Sequence, residues 1–309
     1  MAQLGSPGHD AVPIGEVVAP PFAKTPDPSA LFRDRSARLR DLAPGHRLGA
    51  YLTFLAGLTE VQAALAEDLP PPDLPDAEAL ARSRAHGMPA LDRERFPHDP
   101  ACRDTLRRFF AGASAIEMPA ESRQALSAIA SADDETLAWM VQNVVRDSIP
   151  AHDAAPHVFV AAGTALHAAR CASAVDASWL VPVGEGACPA CGSAPVSSVI
   201  VGWEGAHGAR FCVCSLCGTL WNAVRIRCTA CGSTKGISYQ ELDDPEAAEG
   251  AVKAECCSEC RTYLKVMQQA KHPALDPVAD DVATLALDRL LAEDEDLRRS
   301  GRNPYLLGY

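Results

Sequence analysis

Residues 188–192 read Cys-Pro-Ala-Cys-Gly, and two cysteines separated by two residues return at 214–217, 228–231 and 257–260. Two intervening residues let both sulfurs face one ion, so each pair with its turn is called a knuckle below. A tetrahedral ion takes four thiolates and therefore needs two knuckles. The four knuckles predict two metal sites.

Pairing the knuckles in sequence order gives the simplest model, an internal duplication of knuckle, ribbon and knuckle. The first site is then formed by Cys188, Cys191, Cys214 and Cys217. The second site is formed by Cys228, Cys231, Cys257 and Cys260. Glycine follows the second cysteine in three knuckles and supplies the positive φ that closes such a turn. Arg261 takes this place in the fourth, which is the least regular.

Two further cysteines lie beside the knuckles, Cys212 and Cys256. Either one is a possible alternative ligand or redox thiol, but the knuckles already supply four ligands per site. We therefore expect both to be spare thiols. A tetrahedral set of four thiolates suits iron and zinc alike. The Cys-Pro-x-Cys-Gly form at 188–192 resembles the rubredoxin knuckle and favours two mononuclear iron sites, with zinc possible.

Composition restricts the partners and the compartment. The 309 residues carry 28 Lys and Arg against 40 Asp and Glu, a net charge of −12, which disfavours nucleic-acid binding. No apolar run is long enough to insert into a membrane, and the N-terminus lacks the features of a secretory signal. We expect a cytoplasmic protein, in which cysteines stay reduced and bind metal. Nothing in the sequence specifies an oligomeric state.

The residue composition and apolar pattern change along the chain and predict an α+β protein. We predict a loose arm at 1–30, an all-α domain at 31–180, two tandem rubredoxin-like four-cysteine modules at 181–222 and 223–270, and a C-terminal helix and tail at 271–309. Apolar periodicity predicts helices at 48–65, 77–87, 102–113, 119–131, from 133 onward, at 156–173 and at 277–293. Short β-prone runs lie at 196–201, 221–226, 237–242 and 263–267.

Many residues besides the cysteines match one known family. The region 188–309 resembles the formate dehydrogenase accessory protein family, FdhE. The matching residues are Cys188-Pro-x-Cys191-Gly-Ser193-x-Pro195-Val196-Ser-Ser-Val199, Cys214-x-Leu216-Cys217, Trp221-x-x-Val224-Arg225, Leu242-Asp243-Asp244, Val252-Lys253-Ala254-Glu255, Cys257-x-x-Cys260-x-Thr262-Tyr263-Leu264-Lys265, Val278-Ala279-Asp280-Asp281 and Asn303-Pro304-Tyr305.

The resemblance implies a helical domain followed by two rubredoxin-like modules that hold iron. It also implies a cytoplasmic factor that matures respiratory formate dehydrogenase by binding its catalytic subunit before export. Candidate partner-binding residues are Asp243, Asp244, Thr262, Tyr263 and Lys265. The alternative is that these residues only hold the modules to the helical domain.

Catalysis has little support in the sequence. No nucleophile motif, phosphate loop or dinucleotide fingerprint is present, and both predicted sites are closed, whereas a catalytic zinc keeps an open position. We therefore expect a non-enzyme. Two other hypotheses remain: a rubredoxin-type electron-transfer or thiol-redox protein, and a nucleic-acid-binding zinc ribbon, which the acidity disfavours.

Overall fold

The computed structural model describes residues 19–243, 250–293 and 296–307. The helices in these ranges are α1 (Pro28–Leu42), α2 (Gly49–Asp68), α3 (Ala77–Ala85), α4 (Pro100–Ala113), α5 (Ala120–Ala130), α6 (Asp134–Arg146), α7 (Ala154–Ser173), α8 (Ala279–Ala283) and α9 (Leu285–Glu293). Short 3₁₀ helices lie at Arg93–His98, Ala151–Asp153 and Ala177–Trp179. The strands are β1 (Ala23–Lys24), β2 (Pro195–Ile200), β3 (Arg210–Cys214), β4 (Leu220–Ala223), β5 (Ile237–Gln240), β6 (Val252–Cys257), β7 (Thr262–Met267) and β8 (Arg298–Arg299).

The helical half is built around α7. Every residue from Phe159 to Ala172 is buried, because α2, α4, α5 and α6 all pack against this helix. Small residues permit the close approach: a Cβ on Gly163 would lie 3.0 Å from Cγ of Leu106. The lone cysteines Cys102 and Cys171 are buried in this half, as expected for small apolar side chains.

Aspartate caps begin several helices where the sequence predicted them. The side chains of Asp76, Asp99 and Asp133 each accept a hydrogen bond from a backbone N–H in the first turn of α3, α4 and α6. The helices predicted at 48–65, 77–87, 102–113, 119–131 and 156–173 are present, with ends shifted by a few residues.

The described part of the predicted N-terminal arm has regular structure. Ala23 and Lys24 pair with Trp221 and Leu220 of β4. Asp27 then caps α1, with proline at the first helical position. Residues 20–30 are therefore attached to the sheet and to the helical half, because strand pairing and a capped helix start fix them.

Both cysteine modules belong to one sheet, in the order β1-β4-β3-β2-β7-β6-β5, with β8 pairing β7. Each module has the same succession of knuckle, two antiparallel strands, knuckle and third strand. The modules join where β2 runs parallel to β7, with Ser198 opposite Val266. The expected duplication is thus fused into a continuous sheet.

The predicted C-terminal helix is divided at Thr284 into α8 and α9. The ammonium group of Lys265 donates to the carbonyl oxygens of Asp281 and Thr284, at 2.9 and 3.0 Å. These carbonyls are drawn towards a buried charge from β7, which accounts for the break. Within the described ranges, no helix combines the length and the apolar character that a membrane crossing requires.

Candidate metal centres

The first group of sulfurs lies between β2, β3 and the helical half. The Sγ atoms of Cys188, Cys191, Cys214 and Cys217 all lie within 4.8 Å of one another. Cys188 and Cys217 are 3.7 Å apart, and Cys191 and Cys214 are 3.4 Å apart. All four cysteines are buried.

The second group repeats this arrangement at the other end of the sheet. The Sγ atoms of Cys228, Cys231, Cys257 and Cys260 also lie within 4.8 Å of one another. The corresponding separations are 3.6 Å between Cys228 and Cys260 and 3.8 Å between Cys231 and Cys257. The structure therefore joins the knuckles in sequence order: the first knuckle with the second, and the third with the fourth.

The donor sets fit a tetrahedral ion. Metal–sulfur bonds of about 2.3 Å place the sulfurs of a tetrahedral site about 3.8 Å apart. The four separations given above are 3.4–3.8 Å, and every separation within a group is at most 4.8 Å. Both sets consist of four thiol sulfurs and could hold one ion each. This geometry suits iron and zinc equally.

The first knuckle of each site has the same backbone conformation. The N–H of Gly192 donates to the carbonyl of Cys188 at 2.8 Å, and Gly232 donates to Cys228 at 2.9 Å. Gly192, Gly218 and Gly232 have φ values of 73–75°, as the sequence predicted for the residue that closes the turn. Arg261 closes the fourth knuckle with a φ of 55°.

Backbone N–H groups lie close to a ligand sulfur, where they would stabilise its negative charge. The N–H groups of Leu216 and Cys217 each lie 3.4 Å from Sγ of Cys214. A threonine lies two residues after the last cysteine of each site. Sγ of Cys217 donates to Oγ1 of Thr219 at 3.1 Å, and Oγ1 of Thr262 lies 3.0 Å from Sγ of Cys260. These threonine contacts were not predicted, although Cys-x-Thr occurs at both 217–219 and 260–262.

The two sites differ in their access to solvent. At the first site, the N–H groups of Ala90 and Leu91 bond to the carbonyls of Pro189 and Ala190, so the first knuckle is covered by the helical half. At the second site, Cys231 is exposed and Cys260 is partly exposed. The first site is sealed, whereas the second opens to solvent through its second cysteine.

Each site contains a cysteine whose pKa is lowered by its neighbours. At the first site, burial raises the pKa of Cys188, whereas hydrogen bonds from Cys188 and the facing pair lower the pKa of Cys191. Burial opposes ionisation at Cys260, but hydrogen bonds from Thr262 and the neighbouring cysteines outweigh it and lower the pKa to about 7. Each group therefore contains a cysteine that ionises readily, which metal binding requires.

Cys212 and Cys256 lie outside both groups. Cys212 is completely buried in β3, and burial raises its pKa to about 12. Cys256 is buried in β6 and packs with Tyr263, Leu287 and Leu291. The environment of Cys212 does not favour a reactive thiolate, because the charged form loses its hydration there.

The proposed partner-binding residues have different environments. Asp243 is exposed after the end of β5, and Asp244 lies outside the described residues. Thr262 is partly exposed beside Cys260, whereas Tyr263 and Lys265 are buried. The hydroxyl of Tyr263 bonds to Asp288 at 2.7 Å, so this part of β7 attaches the module to the C-terminal helices. Asp288 belongs to the C-terminal helices and not to the helical domain that the alternative named.

Three family models match successive parts of the chain. They are described as FdhE, N-terminal (residues 20–185), FdhE, central domain (187–225) and FdhE, C-terminal domain (226–306). Together they cover the helical half and both cysteine modules. The resemblance to this family seen in the sequence is confirmed.

Relatives and a solved structure agree with the models. The chain is 47% identical over 296 residues to the protein FdhE homolog of Rhizobium meliloti (strain 1021), covering 96% of each. It is 34% identical over 281 residues to the protein FdhE of Salmonella arizonae, covering 89% of this chain and 88% of that one. The crystal structure of the FdhE protein from Pseudomonas aeruginosa superposes with a TM-score of 0.82 at 32% identity, covering 94% of this chain and 99% of that one.

Proposed function

The chain belongs to the FdhE family, and from this we propose that it is a non-enzymatic accessory factor required for the maturation of formate dehydrogenase. It binds the catalytic subunit of that enzyme in the cytoplasm, before export. The observation that carries the proposal is the family match over residues 20–306, which includes both cysteine modules.

Each four-cysteine group holds one iron ion in this proposal. Cys188, Cys191, Cys214 and Cys217 bind the first ion, and Cys228, Cys231, Cys257 and Cys260 bind the second. The spacing of the sulfurs, the backbone N–H donors at Cys214 and Cys228 and the Cys-Pro-x-Cys-Gly turn support this assignment. Four protein thiolates fill a tetrahedral shell and leave no position for a substrate, which favours binding over catalysis. Zinc fits the same ligands, and elemental analysis of anaerobically purified protein distinguishes the two ions.

A tagged chain tests the function in cells that produce formate dehydrogenase. We expect the catalytic subunit to be recovered with the native chain and with Cys212→Ala, a buried cysteine outside both sites. Cys188→Ser and Cys228→Ser should recover less of it, because each breaks a knuckle. Failure to recover the subunit with the native chain, in cells shown to contain it, would overturn the proposal.

A second candidate function rests on the exposure of Cys231. An iron site with a ligand at the surface can exchange an electron with a redox partner, so electron transfer is the alternative. A reversible one-electron spectral change assigned to the second site supports it. A colourless protein that contains only zinc excludes it.

A further inference from the structure

Strand β5 forms the end of the sheet opposite β1. Among the described strands, only β6 pairs with it. Three of the four residues of β5 are exposed, and the fourth is partly exposed. A strand with one unpaired edge presents a row of N–H and C=O groups on which another polypeptide can pair.

The register identifies which groups point to the free edge. In an antiparallel pair, hydrogen-bonded and non-hydrogen-bonded residue pairs alternate. The N–H of Ser258 donates to the carbonyl of Gly236 at 2.9 Å, and Ile237 lies opposite Cys257. Ser238 and Gln240 therefore bond to β6, whereas the N–H and C=O groups of Ile237 and Tyr239 point away from it.

Exposed apolar side chains lie beside this edge. Val224 is 58% exposed, Ile226 is 56% exposed and Tyr239 is 44% exposed. A buried arginine brings them together: Nη1 of Arg210 lies 3.0 Å from Oε2 of Glu255 and 3.4 Å from the carbonyl of Val224. The hydroxyl of Tyr239 donates to the same Glu255 oxygen at 2.9 Å. The segment 224–227 thus packs next to Tyr239.

The segment before β5 is rich in cations, of which Arg210 and Arg227 are paired with Glu255 and Glu185. Between Glu204 and Glu241 the sequence contains four cations and no Asp or Glu, although the net charge is −12. Two of these cations, Arg225 and Lys235, are exposed near β5. Charge complementarity therefore selects a partner segment that carries acidic residues.

We propose that the β5 edge surface (Val224, Arg225, Ile226, Lys235, Ile237 and Tyr239) receives an extended segment of the client polypeptide as an added strand. This inference rests on the proposed function, in which the client is the catalytic subunit of formate dehydrogenase. Backbone pairing with Ile237 and Tyr239 holds the segment. Its apolar side chains contact Val224, Ile226 and Tyr239, and its acidic side chains lie near Arg225 and Lys235.

Amide hydrogen exchange tests the pairing directly in the full, metal-loaded chain mixed with the purified catalytic subunit. The amides of Ile237 and Tyr239 should exchange at least about ten-fold more slowly in the complex. The amides of Ser238 and Gln240, already bonded to β6, should change less. Unchanged exchange at Ile237 and Tyr239 in a complex that forms would overturn the proposal.

Two variants test the surface independently. Ile226→Asp puts a negative charge in the apolar patch, and Tyr239→Pro removes an outward N–H without removing a bond to β6. Each should raise the Kd for the catalytic subunit by at least about ten-fold. Leu290→Asp is the matched control, since Leu290 is a 47% exposed apolar residue on α9; its Kd should change less than about two-fold.

The possible outcomes separate the two proposals. All variants must retain the metal content of the native chain, which shows that they are folded. If the native chain binds the subunit and both edge variants bind equally well, the docking surface is wrong and the proposed function stands. If the native chain does not bind the subunit, the proposed function itself fails. A change in oligomeric state with unchanged client affinity would make the edge an interface between copies and overturn the proposal.

Discussion

Arg210 and Glu255 form a buried ion pair, with Nη1 2.9 Å from Oε1, although their strands β3 and β6 are not neighbours in the sheet. The two side chains are 0% and 3% exposed. The pair connects the first cysteine module to the second. It also fixes the segment between them, because Nη1 lies 3.2 Å from the carbonyl of Arg227.

Removal of this cation should destabilise the whole sheet. Arg210→Met leaves Glu255 charged and buried without its cation, so the free energy of unfolding should fall by about 3–5 kcal/mol. Urea denaturation followed by circular dichroism measures the loss. Arg40→Met is the control, because Arg40 pairs with Glu60 at the surface and should contribute less than about 1 kcal/mol. Equal losses in the two variants would contradict the assigned role.

The closing turn of the first knuckle should tolerate no side chain. Gly192 has a φ of 75°, and a Cβ there would lie 2.9 Å from Cγ of Pro89. Gly192→Ala should therefore combine the left-handed backbone penalty of about 1 kcal/mol with an overpacking cost of about 1–3 kcal/mol. Gly45→Ala provides a matched control, since Gly45 has a φ of 74° and open space around it. The free energies of unfolding of the two variants should differ by the overpacking cost alone, and thermal unfolding measures that difference.

The unequal burial of the two sites predicts two rates of metal release. A chelator reaches the second site through the exposed Cys231, whereas the first site must first separate from the helical half. We expect two phases that differ at least about ten-fold in rate, which corresponds to about 1.4 kcal/mol of additional opening free energy. Stopped-flow absorbance with a chromogenic chelator measures both. In Cys228→Ser only the slow phase should remain; loss of the slow phase instead would reverse the assignment.

Protonation of Asp281 at low pH should weaken the attachment of the C-terminal helices to the sheet. Burial opposes ionisation of this carboxyl, but the positive charges of Lys265 and Arg299 outweigh it and hold its pKa below the ordinary value. Because the folded pKa lies below the unfolded one, the stabilisation is complete above about pH 4 and is lost as the pH falls through the folded pKa.

Asp281→Asn should therefore cost about 3–5 kcal/mol at neutral pH. It should also flatten the decline of the unfolding free energy below about pH 4. Denaturant titrations at a series of pH values measure both effects. Asp34→Asn, at a 76% exposed side chain, should leave the pH profile unchanged; a parallel change in that variant would place the acid response elsewhere.

Local patterns carried most of the sequence predictions. The knuckle turns follow from cysteine spacing and a following glycine, and the helices follow from apolar periodicity. Strand β6 was missed because Lys253 and Glu255 interrupt its apolar pattern, and β3 was missed although Phe211–Cys214 is continuously apolar. Only the fold shows that Arg210 and Glu255 neutralise each other. The pairing of Ser198 with Val266 was equally inaccessible, since it joins distant parts of the chain. The burial difference between the metal sites depends on how the helical half packs, which cysteine spacing does not encode.

The two ends of the sheet are unequal, and this has a consequence for assembly. Among the described strands, β1 closes one end and is only two residues long, so it offers little backbone for a further strand. The other end is open along β5. A sheet that can be extended on one side only accepts a single added segment and does not propagate into a filament. If the client pairs with β5 as proposed, this asymmetry predicts a one-to-one complex between the two polypeptides.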